Sequence, residues 1–385
     1  MTFHLHTANR LENLADALAG LLREAPADPF AETSVTVAHP GMARWLEIRL
    51  AETLGVVMRF DWPLPGRTVW QLLRAAGEDL PEQDPMERPR LALRLWAGLR
   101  SGELAVPKHL IPAEDPEGLR AWRIADSLAE AFEQYPLYRP DWVREWDAGR
   151  PGFDDAERLR RPYGWQAELW RRLTGGIPHR LRLIDRLLAH LQAGERPEGL
   201  PRRLLLFGLS HLPPLYLQFF VALGAVCEVH AFVLTPSQEW WGDAPARREA
   251  RERLLAGEDV VHPLLAQWGR EARDFIDLLY EHLEGVPHET HEHFTEDEPP
   301  HTLGRVQAYL RTLQAPDGFT PDRTLVVHAT HGSMRACQEA VESILAARRA
   351  DPTLKPREIA ILCTDIDRYA PYLEAAFEAL QGEAR

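Results

Sequence analysis

Lysine is nearly missing from this chain. Only Lys108 and Lys355 occur among 385 residues, and arginine supplies the remaining positive charge. A Walker A loop needs glycines for close backbone approach and a lysine for the terminal phosphates. Neither lysine stands in a glycine-rich loop, and no GxxxxGK[ST] occurs. The turn after the first strand reads HTANRL, without glycine or lysine. The strand at Leu204, where a Walker B carboxylate would stand, runs into LLFGLSHL with no acidic pair. ATP hydrolysis by this chain is not expected, and no cofactor is implied.

Other absences narrow the field further. Cys227, Cys337 and Cys363 form no CxxC pair and no disulfide framework, which fits a reducing, cytoplasmic setting. No apolar run reaches the roughly 18 residues of a membrane span, and MTFHLHTANR lacks the apolar stretch of a signal peptide. FGLSHL lacks the second glycine of a GxSxG nucleophile elbow. The formal net charge of −14 argues against a general nucleic-acid coat. Seven acidic residues lie between Glu281 and Pro300, where no Lys or Arg stands, so basic surface elsewhere stays open.

What is present alternates strand and helix, the pattern of a parallel sheet. FHLHTA (Phe3–Ala8) reads as a strand, with a helix from about Arg10 to Arg23 that Asn9 would cap. SVTVAH and GVVMRF (Gly55–Phe60) read as the next strands. From about Gly77 to Gly199 apolar residues recur at helical spacing, as in WRIADSLAEAFEQY and RLRLIDRLLAHL. Strands then return at Leu204–Phe207 and Cys227–Leu234, followed by one helix over HPLLAQWGREARDFIDLLYEHL. The stretch on to Pro300 reads as a loop. RTLVVHAT and EIAILC read as strands of a last unit.

His288, His291 and His293 form an HxxHxH pattern that could bind a metal. In an acidic loop it reads as solvated polar sequence, so no metal is expected. Asp365 and Asp367 follow a strand and read as a helix cap rather than a carboxylate pair. Of twelve tryptophans, most, such as Trp96 and Trp170, read as core. Others stand beside arginine: Arg44 with Trp45, Arg59 near Trp62, Arg67 near Trp70, and Tyr138 and Arg139 near Trp142. Rings and guanidinium groups along a groove suit single-stranded DNA, at about 1–3 kcal/mol per stacked base. Ordinary amphipathic packing explains the same residues, and composition alone favours it.

HTANRLENL, GMARWL, DWPLP, EQYPLYRPDW, GLSHLPPLYLQ, WWGD, HPLLAQWGREARDFIDLL and PREIAILCTDIDRYAPYLEAAF together resemble the RecC family, in the same order and over essentially the whole chain. That family is the gamma subunit of exodeoxyribonuclease V, the RecBCD helicase–nuclease. The resemblance implies an inactive superfamily 1 helicase-like α/β fold with a P-loop NTPase-like parallel sheet. Residues 1–76 and 200–315 would form domain 1A, 77–199 an all-helical insertion 1B, and 316–385 the beginning of a truncated domain 2A. Family members are several-fold longer, so the chain is expected to be an N-terminal fragment. Implied partners are RecB-like and RecD-like subunits, single-stranded DNA and a duplex end, without membrane.

The implied role is to hold the motors, separate the strands and scan the 3′ strand for Chi. Leu64, Trp70, Gln134, Arg139 and Arg180 match the family's residue types at channel-lining positions. Glu130 and Glu133 keep a carboxylate where the pattern has Asp. Ala38, Pro40 and Arg44 depart from Gln, Thr and Gln, and Ala131 replaces Leu. Amides and hydroxyls read base edges and Ala and Pro side chains do not, so the departures bear on which Chi sequence is read. Arg44 is expected to face DNA, with Trp45 packed inward. The alternative is a protein-interaction module without direct DNA contact, which the negative charge favours.

Overall fold

A computed structural model describes residues 2–383, apart from 24–31, 111–114, 116, 153–162, 176, 243, 246, 257–262, 317 and 320–321. The chain divides into two compact units, Met1–Glu298 with Gln307–Pro316, and Pro299–Val306 with Asp317–Arg385.

The first unit is built on a six-stranded sheet: β1 (Phe3–Ala8), β2 (Thr33–Val37), β3 (Phe60–Asp61), β4 (Arg203–Phe207), β5 (Glu228–Leu234) and β6 (His288–Glu292). The order is β3-β2-β4-β5-β1-β6, and every pairing is parallel. β4 and β5 are central and buried on both faces, which is why LLLF and VHAFV read as near-continuous apolar runs. On one face α1 (Leu11–Arg23) and α2 (Pro40–Leu54) seat Leu14, Leu18, Leu46 and Leu50 against Val35, Val37, Phe207 and Phe232. On the other, Phe3, Leu5, Val229 and Ala231 share a core with α9 (Pro214–Leu223) and α12 (Arg270–Leu283). Each such large side chain contributes about 1.5–3 kcal/mol on burial.

Between α3 (Pro65–Ala75) and β4 the described residues form helices and no strand: α4 (Arg88–Ser101), α5 (Leu119–Tyr138), α6 (Pro140–Asp147), α7 (Trp165–Thr174) and α8 (Arg180–Gln192). Their core is aromatic, with Phe132 edge-on to Trp170 at 5.5 Å and 88°. Pro140 cannot extend α5, so the chain breaks at Arg139 and restarts as α6 with proline in its first turn.

Four expectations are corrected. GVVMRF is not a strand: Gly55 and Arg59 take positive φ values of 85 and 59, which end any extended run, and only Phe60–Asp61 pair with β2. The helix over HPLLAQWGREARDFIDLLYEHL is two, α11 (Pro263–Trp268) and α12, broken at Gly269. A Cβ there would meet Leu265 O at 2.6 Å and Trp241 at 2.8 Å, so the close approach needs glycine. The acidic stretch expected as loop contains β6, paired with β1. RTLVVHAT and EIAILC form no strand among the described residues. Branched apolar runs become strands only where a neighbour completes the ladder, and Val327 is left 90% exposed and Leu362 94%.

The second unit packs α14 (Ser333–Ala350) on α15 (Ile366–Glu383) through Cys337, Val341 and Ala376. Asp365 accepts from Arg368 N at 3.1 Å, capping α15 as expected.

Candidate nucleic-acid interface

In an all-parallel sheet the strand carboxyl ends lie along one edge, where open α/β sheets bind ligands. Here the β2–α2 turn stands beside the β3–α3 turn. Val37 N donates to Pro63 O at 3.1 Å, and the Thr36 and Thr68 hydroxyls meet at 2.8 Å, welding the two. His39 caps α2 by accepting from Met42 N through Nδ1 at 3.1 Å, and Pro40 occupies the first turn. Ala38 is half-buried and Pro40 exposed. Arg44 projects into solvent and pairs with Glu47 at 2.8 Å. Trp45 turns inward, its ring 6.4 Å from that of Phe207. Leu64 precedes α3 and is 43% exposed.

Two predicted lining residues stand behind this edge rather than on it. Trp70 is 4% exposed and donates its ring N–H to Pro81 O at 3.0 Å. Arg180 opens α8 with its guanidinium inside: Nε lies 2.6 Å from Asp84, and Nη1 donates to the Tyr216 hydroxyl at 2.5 Å. Burial pushes the Asp84 carboxyl up, against the pull of Arg180. Gly66, at the start of α3, leaves room for that guanidinium.

Glu130, Ala131, Glu133 and Gln134 share α5. The two carboxylates gather around Arg88: Glu130 is 3.4 Å from its Nη1, and Glu133 accepts from its backbone N–H at 3.1 Å. Arg88 also forks onto Asp126 at 3.1 and 2.8 Å, which holds the Asp126 carboxyl below its usual range. Ala131 and Gln134, three apart on one helical face, open onto the corner between α5 and α6. There Ala131, Gln134, Tyr135, Tyr138, Arg139, Trp142 and Tyr163 line a cavity of about 430 Å³. The Arg139 guanidinium lies 5.5 Å from the Trp142 ring centroid. Arg139 Nη1 donates to the Tyr138 carbonyl at 2.8 Å, and no carboxylate is paired with it among the described residues. Tyr135 anchors the wall by donating to Gln166 at 2.9 Å, and burial pushes its hydroxyl pKa up.

The structure therefore brings Ala38, Pro40, Arg44 and Leu64 to the sheet edge, and Ala131, Gln134 and Arg139 to one pocket. It places Trp70 and Arg180 in the interior. Tyr135 and Tyr163 were missed as pocket walls. Tyr135, seven residues before Trp142 across a proline break, was the available signal. A second omission lies on the sheet's α1 face. His4 and His6 of β1, His230 of β5, and His291 and His293 at β6 form a stacked array. Burial, then neighbouring imidazoles, lower the His6 pKa to about 3. Burial lowers that of His230 to about 4. No local pattern shows this, because the five histidines come from β1, β5 and the segment of β6 with the residue that follows it.

Fold and site together define an α/β protein with a parallel sheet, an aromatic–arginine pocket in its helical segment, and no membrane-length apolar helix among the described residues. Residues 3–313 match the family described as RecC, N-terminal domain, and the chain belongs to that family. The RecBCD enzyme subunit RecC of Haemophilus influenzae is 27% identical, covering 99% of this chain and 40% of its own length. That of Escherichia coli strain K12 is 30% identical (97% and 38%). That of Mycolicibacterium smegmatis is 33% identical (98% and 34%). The chain thus spans two fifths or less of the length of these curated relatives.

Proposed function

We propose that this chain works as part of a RecC subunit in a RecBCD-type helicase–nuclease, guiding single-stranded DNA without hydrolysing nucleotide. RecB-like and RecD-like subunits are the implied partners. The carrying observation is the α5–α6 pocket. The Arg139 guanidinium, without a carboxylate partner among the described residues, lies over the half-buried Trp142 ring in a cavity that Gln134 and the exposed Tyr138 and Tyr163 also line, wide enough for a base. Aromatic faces stack any base and Arg139 adds a phosphate or cation–π contact. Arg44, Pro40 and Leu64 on the sheet edge extend the path, in a helicase-like arrangement with 1A, 1B and 2A domains. Strand separation and Chi scanning belong to the same reading.

The absence of ATPase chemistry is supported by the missing Walker lysine and by the first βα turn itself. Asn9 exchanges hydrogen bonds with the Thr295 backbone at 3.0 and 3.1 Å, where a phosphate loop would open. The −14 charge favours the second reading, a protein-interaction module. A salt-dependent single-strand titration separates them. On the DNA reading, Arg139→Ala weakens binding and lowers the log–log salt slope by about 1. Binding by the wild-type chain that Arg139→Ala leaves unchanged removes the pocket from the path.

A further inference from the structure

We propose that His4, Glu289 and His291 form a zinc site that ties the edge strand β6 to β1. The three ligand atoms close a triangle. His4 Nδ1 is 3.1 Å from His291 Nε2, His4 Nδ1 is 3.4 Å from Glu289 Oε2, and His291 Nε2 is 3.8 Å from the same Oε2. A tetrahedral ion held at about 2.0–2.2 Å from each ligand sets them about 3.3–3.6 Å apart. The edges straddle that value, and the ion would replace the proton of the hydrogen bond that now joins the two imidazoles. Two imidazole nitrogens and one carboxylate oxygen are a zinc donor set, and a half-exposed position leaves the fourth place to water.

Register explains why the ligands converge. In the parallel pairing of β1 with β6, His4 lies opposite Glu289 and His6 opposite His291. Alternation puts residues 4, 6, 289 and 291 on one face of the sheet. The His4 ring is held from behind by stacking on His230 at 4.5 Å and 9°. His230 in turn lies 3.1 Å from Glu228. Such partners orient a ligand ring. β6 is otherwise an exposed, charged edge strand with little apolar burial, so a metal bridge supplies what packing does not.

The test uses the 385-residue chain without an affinity tag, treated with chelator and then titrated with ZnCl2, with MgCl2 as the oxygen-preferring control. Calorimetry is expected to show one zinc per chain with Kd below about 10 µM, and Co2+ to show tetrahedral visible absorption. His291→Ala and Glu289→Gln are each expected to weaken binding at least about tenfold. The Glu289 side chain is 61% exposed, so its variant keeps the fold. His288→Ala, whose exposed ring bonds Val286 O, leaves binding unchanged. No saturable binding, or binding that both ligand variants leave intact, overturns the site.

Discussion

Arg180 separates the structural and the DNA-contact roles of the predicted lining residues. Replacing it with Ala removes the cation beside Asp84, whose side chain is 2% exposed. A buried carboxylate without its partner protonates instead. Holding a group with an ordinary pKa near 3.9 neutral at pH 7 costs at most about 4 kcal/mol, at about 1.36 kcal/mol per pH unit. Breaking a buried pair costs about 3–5 kcal/mol in general, and here the part of that ceiling already present in the wild type lowers the difference. The sign follows from linkage. In the variant the folded Asp84 pKa rises further above its unfolded value, so the loss is full at neutral pH and shrinks as pH falls. Burial already raises Asp84 in the wild type, so the difference between the proteins opens only above the wild-type value. Urea unfolding at pH 5, 6 and 7 is expected to show an Arg180→Ala penalty that grows with pH and stays below about 4 kcal/mol. Asp84→Asn in the same background abolishes the slope. A penalty below about 1 kcal/mol at pH 7, or one equal at pH 5 and 7, refutes a sealed pair. Unchanged stability with weaker DNA binding would return Arg180 to the DNA path.

Trp70→Ala is expected to lower stability by about 3–5 kcal/mol in urea melts; a loss under 1 kcal/mol would show that the ring is not core. Asn9→Ala removes both bonds to Thr295. Hydrogen exchange of the β6 amides should then accelerate more than that of β4, and equal acceleration would refute local anchoring.

The helical segment was legible because 3.6-residue periodicity is a local property. β4 and β5 were legible because strands buried on both faces carry near-continuous apolar runs. β6 was not: HETHE alternates polar residues with polar residues, and it is a strand only because β1 offers an open edge. RTLVVHAT and EIAILC failed in the opposite direction, having the composition of strands without ladder partners among the described residues. Arg–Trp adjacency marked four places alike, yet Trp45 and Trp70 face inward while Trp142 meets Arg139 at a pocket.

Sequence alone determined the alternation of the first unit, its helical interruption, and the lack of a Walker lysine, because each depends on residue type and spacing along the chain. Tertiary structure decided which arginines reach solvent, which tryptophans are core, and that histidines more than 280 positions apart adjoin. Exposure and proximity are set by what other segments place alongside a residue, and sheet register, not spacing along the chain, brings His4 to His291.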